Sequence, residues 1–328
     1  MDWQHVDWQL LERLRDRFLK NTGGDGPYWA DEVTLANYDF TFGRRIAWKW
    51  AAVLQPMLER GWEPPARRLI DWGCGTGVAT RSFLAHFGTG SIEDIILWDH
   101  SPAATRFARA AIEAEHPGPS VRVADPSTAE DGPPFVLLVS HVINELDTTG
   151  LEALLALARK AEAIIWIEPG TREDSRRLLG VREQLRGVFH CHAPCPHDGP
   201  CGMLAAENAR HWCHHFARPP TEAFTSRGWS LFAQRLNIDL RALPYSHLVL
   251  DRRPPPRIPD AVRIIGAPRE YSGLMKILRC REDGVSEVEL QKRDSKPLWK
   301  KLQKKRDPGL LAWRETEAGR IAPGSFQV

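Results

Sequence analysis

Short apolar runs alternate with longer, more polar stretches between residues 63 and 170 of this chain. The runs lie at residues 68–71, 95–99, 121–123, 135–140 and 163–168. Helices are predicted between them, near residues 102–115 and 149–160. The run at 135–140 is apolar up to its last residue, as expected of a strand that is buried on both faces of a sheet. Alternating strands and helices predict an α/β fold built on a Rossmann-like, doubly wound sheet.

The segment before this sheet, residues 1–62, is predicted to be helical. Trp8, Leu11, Leu14 and Phe18 recur at the spacing of one helix face. Residues 21–27 are rich in glycine and predict a break between two helices. We expect the aromatic residues of this segment to pack against the α/β part of the chain.

The C-terminal part contains further strands. Apolar runs at 229–233 and 246–250 are predicted as the last strands of the sheet, in an antiparallel pair. A proline-rich linker at 253–256 follows. Beyond it, runs at 261–266, 274–280 and 285–290 predict a small β module, and residues 295–306 predict a basic helix. The predicted domains are residues 1–62, residues 63–252 with a cysteine-rich insertion at 188–218, and residues 253–328.

The first apolar run leads into a loop in which three glycines alternate with other residues. The loop reads Asp71-Trp72-Gly73-Cys74-Gly75-Thr76-Gly77. Glycines let a loop turn sharply and let its backbone approach a ligand closely. The second run ends at Asp99, 28 residues after Asp71. An acid in that position can hold the two hydroxyl groups of a ribose.

These features fit two classes of nucleotide cofactor. Nicotinamide enzymes have a similar spacing of acids, but their loops read G-x-G-x-x-G, and here the third glycine comes one residue earlier. The pattern D-x-G-x-G-x-G is similar to the first motif of Rossmann-like methyltransferases, and this similarity implies S-adenosylmethionine. The residues expected to bind it are Asp71, Gly73, Cys74, Gly75, Gly77, Asp99, Ser101 and Asp125.

Charge is unevenly distributed along the chain. The whole chain has a net charge of +2, whereas residues 251–328 contain 18 Lys and Arg against 11 Asp and Glu. A basic part on a mildly acidic body is typical of proteins that bind a polyanion such as RNA. A solvated charged helix explains the same counts equally well. The residues expected to contact RNA phosphates are Lys292, Arg293, Lys296, Lys300, Lys301, Lys304, Lys305 and Arg306.

Neither a membrane span nor a targeting segment is predicted. No apolar run approaches the roughly 20 residues that a membrane helix needs. Acids at positions 2, 7, 12 and 16 argue against a transit peptide, and nothing resembles a signal peptide. We therefore expect a cytoplasmic, bacterial protein, and we expect it to be a monomer.

Four of the six cysteines fall within 23 residues, at positions 191, 195, 201 and 213. In a reducing compartment such clustering indicates a metal rather than disulfides. Thiolates are ligands for zinc, copper(I) or iron–sulfur clusters. The pattern C-x5-C-x11-C is wider than that of most zinc sites. The residues alone leave the fourth ligand open among Cys191, Cys280 and the nearby histidines, and buried free thiols are the alternative to any metal.

The cysteine region resembles a known family, the methyltransferase-like assembly factors of the mitochondrial small ribosomal subunit and their bacterial relatives. The motif is specific: Cys195-Pro-His-Asp-Gly-Pro-Cys201, then Trp212-Cys213-His214. The resemblance covers about residues 35 to 310. Its further matches are Tyr38-Asp39, Arg44-Arg45-Ile46, the glycine loop, residues 142–146, Glu168-Pro169-Gly170, Cys280, and Gln291-Lys292-Arg293-Asp294.

The resemblance implies a [4Fe–4S] cluster held by Cys195, Cys201, Cys213 and Cys280, with Cys191 outside the motif. It also implies a role in assembly of the small ribosomal subunit and in translation, through binding to ribosomal RNA. The sequence departs from the family at Gly202, where proline is usual, and at His215, which lengthens the usual C-H-F. Neither departure removes a thiol.

Catalytic residues are not evident. Amino-group methylation of bases commonly uses an (Asp/Asn)-Pro-Pro-aromatic motif after the fourth strand, and residues 140–145 contain no Pro-Pro. Carbon-5 methylation needs a cysteine nucleophile, and only Cys191 is left for that role. His141, Asn144 and Glu145 could orient or deprotonate a substrate. Alternatively, Asn144 and Glu145 cap the following helix and touch the edge of the cofactor.

The sequence thus leaves three functions open. The first is a ribosome-assembly factor that binds RNA and retains cofactor binding. The second is an active ribosomal RNA methyltransferase. The third is a zinc-stabilised RNA-binding module with a vestigial cofactor cleft.

Overall fold

The structure is a computed structural model, and it describes residues 1–20, 31–126, 132–304 and 309–326. A π-helical turn, Asp39–Gly43, joins the second helix to the third. The α-helices are α1 (Trp8–Lys20), α2 (Glu32–Tyr38), α3 (Arg44–Glu59), α4 (Val78–Phe87), α5 (Pro102–Glu115), α6 (Thr148–Ala158), α7 (Arg172–Leu185), α8 (Glu222–Thr225), α9 (Arg227–Arg235) and α10 (Lys296–Lys304). The break predicted at residues 21–27 lies outside the described residues.

Strands are found in both halves of the chain. They are β1 (Arg68–Trp72), β2 (Asp94–Trp98), β3 (Ser120–Val123), β4 (Phe135–Ser140), β5 (Ala163–Pro169), β6 (His190–Ala193), β7 (His215–Phe216), β8 (Pro244–Asp251), β9 (Ala261–Ile264), β10 (Arg269–Tyr271), β11 (Leu274–Arg281), β12 (Gly284–Gln291) and β13 (Leu310–Ala312).

The chain packs as two compact units. Unit 1 comprises Met1–Ile167 and Arg218–Leu243, and unit 2 comprises Glu168–Ala217 and Pro244–Val328. These units describe how the chain packs. They do not test the boundaries of the three predicted domains, which stay a prediction.

Unit 1 contains a parallel sheet in the order β3-β2-β1-β4-β5. Trp72 at the end of β1 is in register with Trp98 on β2 and with Val139 on β4. The carboxyl ends of these three strands therefore lie at one edge, where open α/β sheets bind their ligands. The predicted Rossmann-like sheet is confirmed, and so are the five strands predicted up to residue 168.

The N-terminal helices share an apolar cluster with α9. Leu11 and Leu14 of α1 are buried in it with Trp229 and Phe232 of α9. The strand predicted at 229–233 was wrong, because this run is the buried face of α9. A short apolar run does not distinguish a strand from a buried helix. In this run the buried residues, Trp229 and Phe232, are three positions apart, as on one face of a helix.

Unit 2 contains two groups of strands. β8 pairs antiparallel with β6 and with β7, so the strand predicted at 246–250 is confirmed, but its antiparallel partners are strands that the sequence did not indicate. The second group is a five-stranded sheet in the order β10-β11-β9-β13, with β12 on β11. This sheet confirms the predicted β module, and Trp299 of α10 is buried in its core beside Trp313.

None of the helices in the described part of the chain is long and apolar enough to cross a membrane.

Candidate cofactor edge and cysteine pocket

The glycine loop between β1 and α4 requires glycine at three positions. Gly73, Gly75 and Gly77 have φ angles of 67°, 50° and 75°, in the left-handed region that other residues rarely adopt. A Cβ atom on Gly73 would lie 2.6 Å from Cγ1 of Val142. The N–H of Cys74 donates to the carbonyl of Trp98 at 3.0 Å, which ties the loop to the end of β2. We call this region, with the carboxyl ends of β1, β2 and β4, the glycine-loop edge.

Asp71 is a fully buried carboxyl group with one unsatisfied oxygen. Its Oδ2 accepts hydrogen bonds from Thr80, from Oγ1 at 2.7 Å and from the N–H at 3.3 Å. Its Oδ1 has no hydrogen-bond partner within the described residues. Desolvation, and to a smaller extent the charge of Asp99, raises the pKa of Asp71 to about 7 against the bonds from Thr80, which lower it. A buried carboxyl with a free oxygen is suited to a cationic ligand.

Asp99, directly after β2, connects the loop to the next helix. It accepts from the N–H of Gly75 at 2.9 Å and from the N–H of Ser101 at 2.8 Å. Burial raises its pKa. Ser101 caps α5 by accepting from the N–H of Ala104. The exposed Asp125 follows β3 by two residues. The three predicted acids therefore lie at the carboxyl ends of three adjacent strands, with Asp71 inside β1 and the other two just after β2 and β3.

His141 lies at the end of β4 with a φ angle of 57°, which is unusual for a residue other than glycine. Its Nε2 is 2.9 Å from Nζ of Lys49, and its Nδ1 is 3.3 Å from Oγ of Ser140. Desolvation, followed by the charges of Lys49 and Arg45, holds the pKa of His141 well below its usual range. The imidazole is therefore neutral, and both of its nitrogens contact groups of the chain itself.

Asn144 and Glu145 lie in the turn between β4 and α6. The alternative that they cap α6 was wrong, because the cap is Asp147, whose Oδ1 accepts from the N–H of Gly150 at 2.7 Å. Desolvation, followed by the charge of Asp99, raises the pKa of Glu145 to about 7. Glu145 therefore interacts electrostatically with Asp99 of the glycine-loop edge.

Unit 2 brings together the four cysteines of the family motif. All six cysteines of the chain are free thiols. Cys201, Cys213 and Cys280 contact one apolar cluster with Leu179 and Met203, and the charge of Cys195 acts on all three of these thiols. We call Cys195, Cys201, Cys213 and Cys280 the cysteine pocket.

Helix α7 holds the loops of this pocket. Arg182 is 3% exposed, and its Nη2 donates to the carbonyls of His197 at 3.1 Å and Gly199 at 2.9 Å. Ser175 donates from Oγ to the carbonyl of Cys213 at 2.6 Å. Glu183, which pairs with Arg182, accepts from the N–H of Cys201 at 3.2 Å. One helix thus fixes the backbone around three predicted ligands.

The thiols of the pocket differ in their electrostatics. A hydrogen bond from Cys191, and after it the charge of Arg182, lowers the pKa of Cys195 against the effect of burial. Desolvation raises the pKa of Cys201 to about 11, and it raises those of Cys213 and Cys280 as well. Cys195 is therefore the thiol of the pocket that ionises most readily, since the pKa values of the other three are raised.

Metal ligation by these residues stays a prediction. Among the described residues, no group of three or more His, Cys, Asp or Glu has the arrangement of a metal site. Two thiols instead have imidazole neighbours: Sγ of Cys280 is 3.6 Å from Nε2 of His197, and Sγ of Cys213 is 3.7 Å from Nε2 of His215.

The basic C-terminal helix presents its lysines outward. Leu298, Trp299 and Leu302 of α10 are buried in the core of the β module. Lys292, Arg293, Lys296 and Lys300 are exposed, and we call these four residues the lysine face. Lys301 is half-buried, with its Nζ 5.8 Å from the ring of Phe326. The side chain of Lys304, and all of Lys305 and Arg306, lie outside the described residues.

The sequence analysis missed the arginine and lysine residues that support both regions. Arg182 of α7 stands on the same helix face as Leu178 and Leu185, which are buried. A charged residue at an apolar position of a helix is a signal that could have identified it. Lys49 gave no comparable signal.

Comparison with known proteins gives a family match and similarities to solved structures. The model of the family described as mitochondrial small ribosomal subunit Rsm22 matches residues 47–307. No curated protein matches the chain. Among solved structures, the plantazolicin methyltransferase BpumL is 12% identical, with 75% of this chain and 100% of that chain covered at a TM-score of 0.42. Magnesium protoporphyrin IX methyltransferase from Synechocystis PCC 6803 is 16% identical, with 76% and 98% covered at a TM-score of 0.38.

These two structural similarities are too weak to bear on function. The family match spans most of the chain, including the glycine loop and all the cysteines of the pocket. The chain therefore belongs to the mitochondrial small ribosomal subunit Rsm22 family.

Proposed function

We propose that this protein binds S-adenosylmethionine or its product at the glycine-loop edge and acts in assembly of the small ribosomal subunit by binding ribosomal RNA. The observation that carries the proposal is the buried Oδ1 of Asp71, which has no partner within the described residues. It lies beside a loop whose glycines leave the backbone open to a ligand.

The acids of this edge match the parts of the cofactor. The cofactor contains an ammonium group and a sulfonium, and a buried carboxylate with a free oxygen favours such cations. Asp99 has two oxygens that each accept one N–H. A carboxylate oxygen has capacity for a second donor, so Asp99 can also accept from the hydroxyls of a ribose.

Cofactor affinity is expected to rise with pH through about 7. The pKa of Asp71 is raised to about 7 in the folded protein, and a cation prefers the ionised carboxylate. Affinity at pH 6 should therefore be about tenfold lower than at pH 8. Isothermal calorimetry with S-adenosylmethionine across this range is the measurement, and Asp71→Asn should abolish most of the pH dependence.

Glu145→Gln is the matched control, because the pKa of Glu145 is also raised to about 7. A pH dependence that survives in Asp71→Asn and disappears in Glu145→Gln would contradict the role of Asp71. The free protein gives a second readout. The folded pKa of Asp71 lies above the ordinary value of 3.8, so the wild type should lose stability as pH rises from about 4 to about 7, and Asp71→Asn should lose less.

We also propose that the cysteine pocket holds a [4Fe–4S] cluster, as the family resemblance implies. The donor set fits this group, because four thiols that are buried or half-buried, with the permanent cation Arg182 beside them, suit a cluster of net negative charge. Bound there, the cluster would supply a covalent cross-link between the loop of residues 195–213 and strand β11. Zinc is the alternative, and metal analysis separates the two.

The lysine face is expected to bind ribosomal RNA phosphates. Its four side chains are exposed. Lys296 and Lys300 lie on α10, whose apolar residues pack in the core of the β module, and Lys292 and Arg293 lie between β12 and α10. Affinity for small-subunit RNA should fall steeply with salt, and replacing Lys292, Lys296 and Lys300 by Gln should reduce the slope of log K against log salt by about 2–3. Salt titrations of RNA binding test this, and an unchanged slope in the triple variant would contradict it.

Methyl transfer to ribosomal RNA is a second function, favoured by Glu145. A carboxyl group with a pKa of about 7 at the glycine-loop edge can take up or release a proton near neutral pH. Transfer of a labelled methyl group to small-subunit RNA by the wild type, with loss in Glu145→Gln, would support it. If the protein binds both the cofactor and the RNA but transfers no methyl group, methyl transfer is rejected and only the assembly function remains.

A further inference from the structure

Tyr271, the last residue of β10, is an exposed aromatic side chain in the β module. It is 51% exposed, whereas aromatic rings more often contribute to the cores and interfaces of proteins. The turn Ser272-Gly273 leads from it directly into β11, and Gly273 has a φ angle of 74°. The position of this ring at the tip of a hairpin, together with its surroundings, points to a ligand.

The pairing of three strands decides which face of the sheet Tyr271 occupies. Tyr271 lies opposite Leu274 of β11, and Leu274 lies opposite Gln291 of β12. Residues directly opposite one another share a face. The next pair, Met275 and Leu290, is buried in the core of the module, and successive side chains point to opposite faces. Tyr271, Leu274 and Gln291 therefore form a row on the face away from this core, which we call the tyrosine row.

The lysine face begins where this row ends. Lys292 follows Gln291 directly, and its N–H donates to the carbonyl of Gly273 at 3.0 Å, which holds the chain after β12 beside the hairpin. Lys292 and Arg293 are both exposed. Because neighbouring strands are about 5 Å apart, the backbone of Lys292 lies within roughly two strand spacings of that of Tyr271.

The other charged groups on this face of the sheet pair with one another. Arg269 of β10 and Lys276 of β11 both pair with Glu287 of β12, and Nζ of Lys276 also lies 3.8 Å from Glu289. Two cations and two acids balance in the middle of the face. The excess positive charge therefore lies at the hairpin end, beside Tyr271.

We propose that the tyrosine row binds an unpaired stretch of RNA, with one base stacked on the ring of Tyr271 and the neighbouring phosphates at Lys292 and Arg293. Proteins commonly hold single-stranded RNA with aromatic side chains that stack its bases and basic residues that follow its backbone. The bases of a duplex are already paired and stacked, so they present no free face to such a ring. The proposal rests on the proposed function, and it specifies that the RNA at the lysine face is single-stranded.

Binding of two forms of one RNA to the full-length protein tests the stacking. The first form is a fluorescently labelled single strand from small-subunit RNA, and the second is the same strand paired with its complement. Tyr271→Ala removes the ring and Tyr271→Phe keeps it. Phe224→Ala is the matched control, because Phe224 is an aromatic residue of unit 1 that is 52% exposed. Thermal melting of the free proteins is the second measurement.

Tyr271→Ala is expected to bind the single strand about 5- to 150-fold more weakly than the wild type, the range for one base stacked on an aromatic side chain. Its affinity for the duplex should stay within about twofold of the wild type, because no base of the duplex is free to stack. Its salt slope should be unchanged, since no charge is removed. Tyr271→Phe and Phe224→Ala should bind both forms as the wild type does, and all variants should melt at the wild-type temperature.

Two results would overturn the stacking. One is binding of the single strand by Tyr271→Ala within about twofold of the wild type; if that variant nevertheless sediments less with small ribosomal subunits, the tyrosine row contacts a protein instead. The other is an equal loss of affinity for the single strand and the duplex, because Tyr271 would then not recognise an unpaired base. Failure of the wild type to bind either form of RNA is a different result and contradicts the proposed function instead.

Discussion

Replacing Cys280 with serine is expected to remove most of the bound iron and to loosen the C-terminal β module. Cys280 lies on β11, 67 positions after Cys213, and is 9% exposed in the cysteine pocket. A metal centre that joins segments so distant in sequence stabilises the fold directly, and loss of a metal belongs to the most damaging classes of substitution. The measurements are iron and sulfide content, visible absorption, and limited proteolysis between residues 252 and 260.

Serine variants at Cys195, Cys201 and Cys213 should behave in the same way. Cys191→Ser is the matched control. Cys191 is buried like Cys280, and its thiol forms a hydrogen bond with that of Cys195, yet it lies outside the family motif. It should keep both iron and resistance to protease. Full iron in Cys280→Ser together with loss in Cys191→Ser would contradict the ligand assignment. If anaerobically purified wild type contains stoichiometric zinc and no sulfide, the metal is not a [4Fe–4S] cluster. That result would still agree with metal binding in the cysteine pocket.

Asp99→Ala is expected to weaken binding of S-adenosylmethionine by about 1.5–3 kcal/mol, roughly 10- to 150-fold, the range for hydrogen bonds to a charged group. The substitution removes the acceptor proposed for the ribose. It also removes the acceptor for the N–H groups of Gly75 and Ser101, so the glycine loop loses its connection to α5. Calorimetry at pH 8, where Asp71 is ionised, is the measurement.

Asp99→Asn separates these two effects. The amide oxygen still accepts one backbone N–H, while the charge is lost, so its affinity should lie between those of the wild type and Asp99→Ala. If circular dichroism shows that Asp99→Ala is folded and its affinity for S-adenosylmethionine equals that of the wild type, Asp99 does not bind the cofactor.

The sheet of unit 1 was predictable because its strands are buried on both faces and therefore appear as unbroken apolar runs. The glycine loop was predictable because a left-handed backbone at three alternating positions excludes most other residues. In contrast, the run at 229–233 is equally compatible with a strand and with the buried face of α9. β7 and β10 have two and three residues, which is too short for any periodicity to appear.

The supporting residues of the candidate sites could not be derived from spacing. Arg182 and Ser175 reach the cysteine loops only because α7 packs beside them, and Lys49 meets His141 across 92 positions of sequence. Local patterns identify groups that are close along the chain. Contacts of this kind depend on how the helices pack on the sheet.

Sedimentation with small ribosomal subunits tests the central proposal most directly. Anaerobically purified protein, with saturating S-adenosylmethionine, is mixed with purified small subunits and assembly intermediates and separated on a sucrose gradient. The proposal predicts that the wild type comigrates with them at low salt and that the Lys292, Lys296 and Lys300 triple variant comigrates less. Folded, metal-loaded wild-type protein that remains at the top of the gradient in every mixture would contradict it.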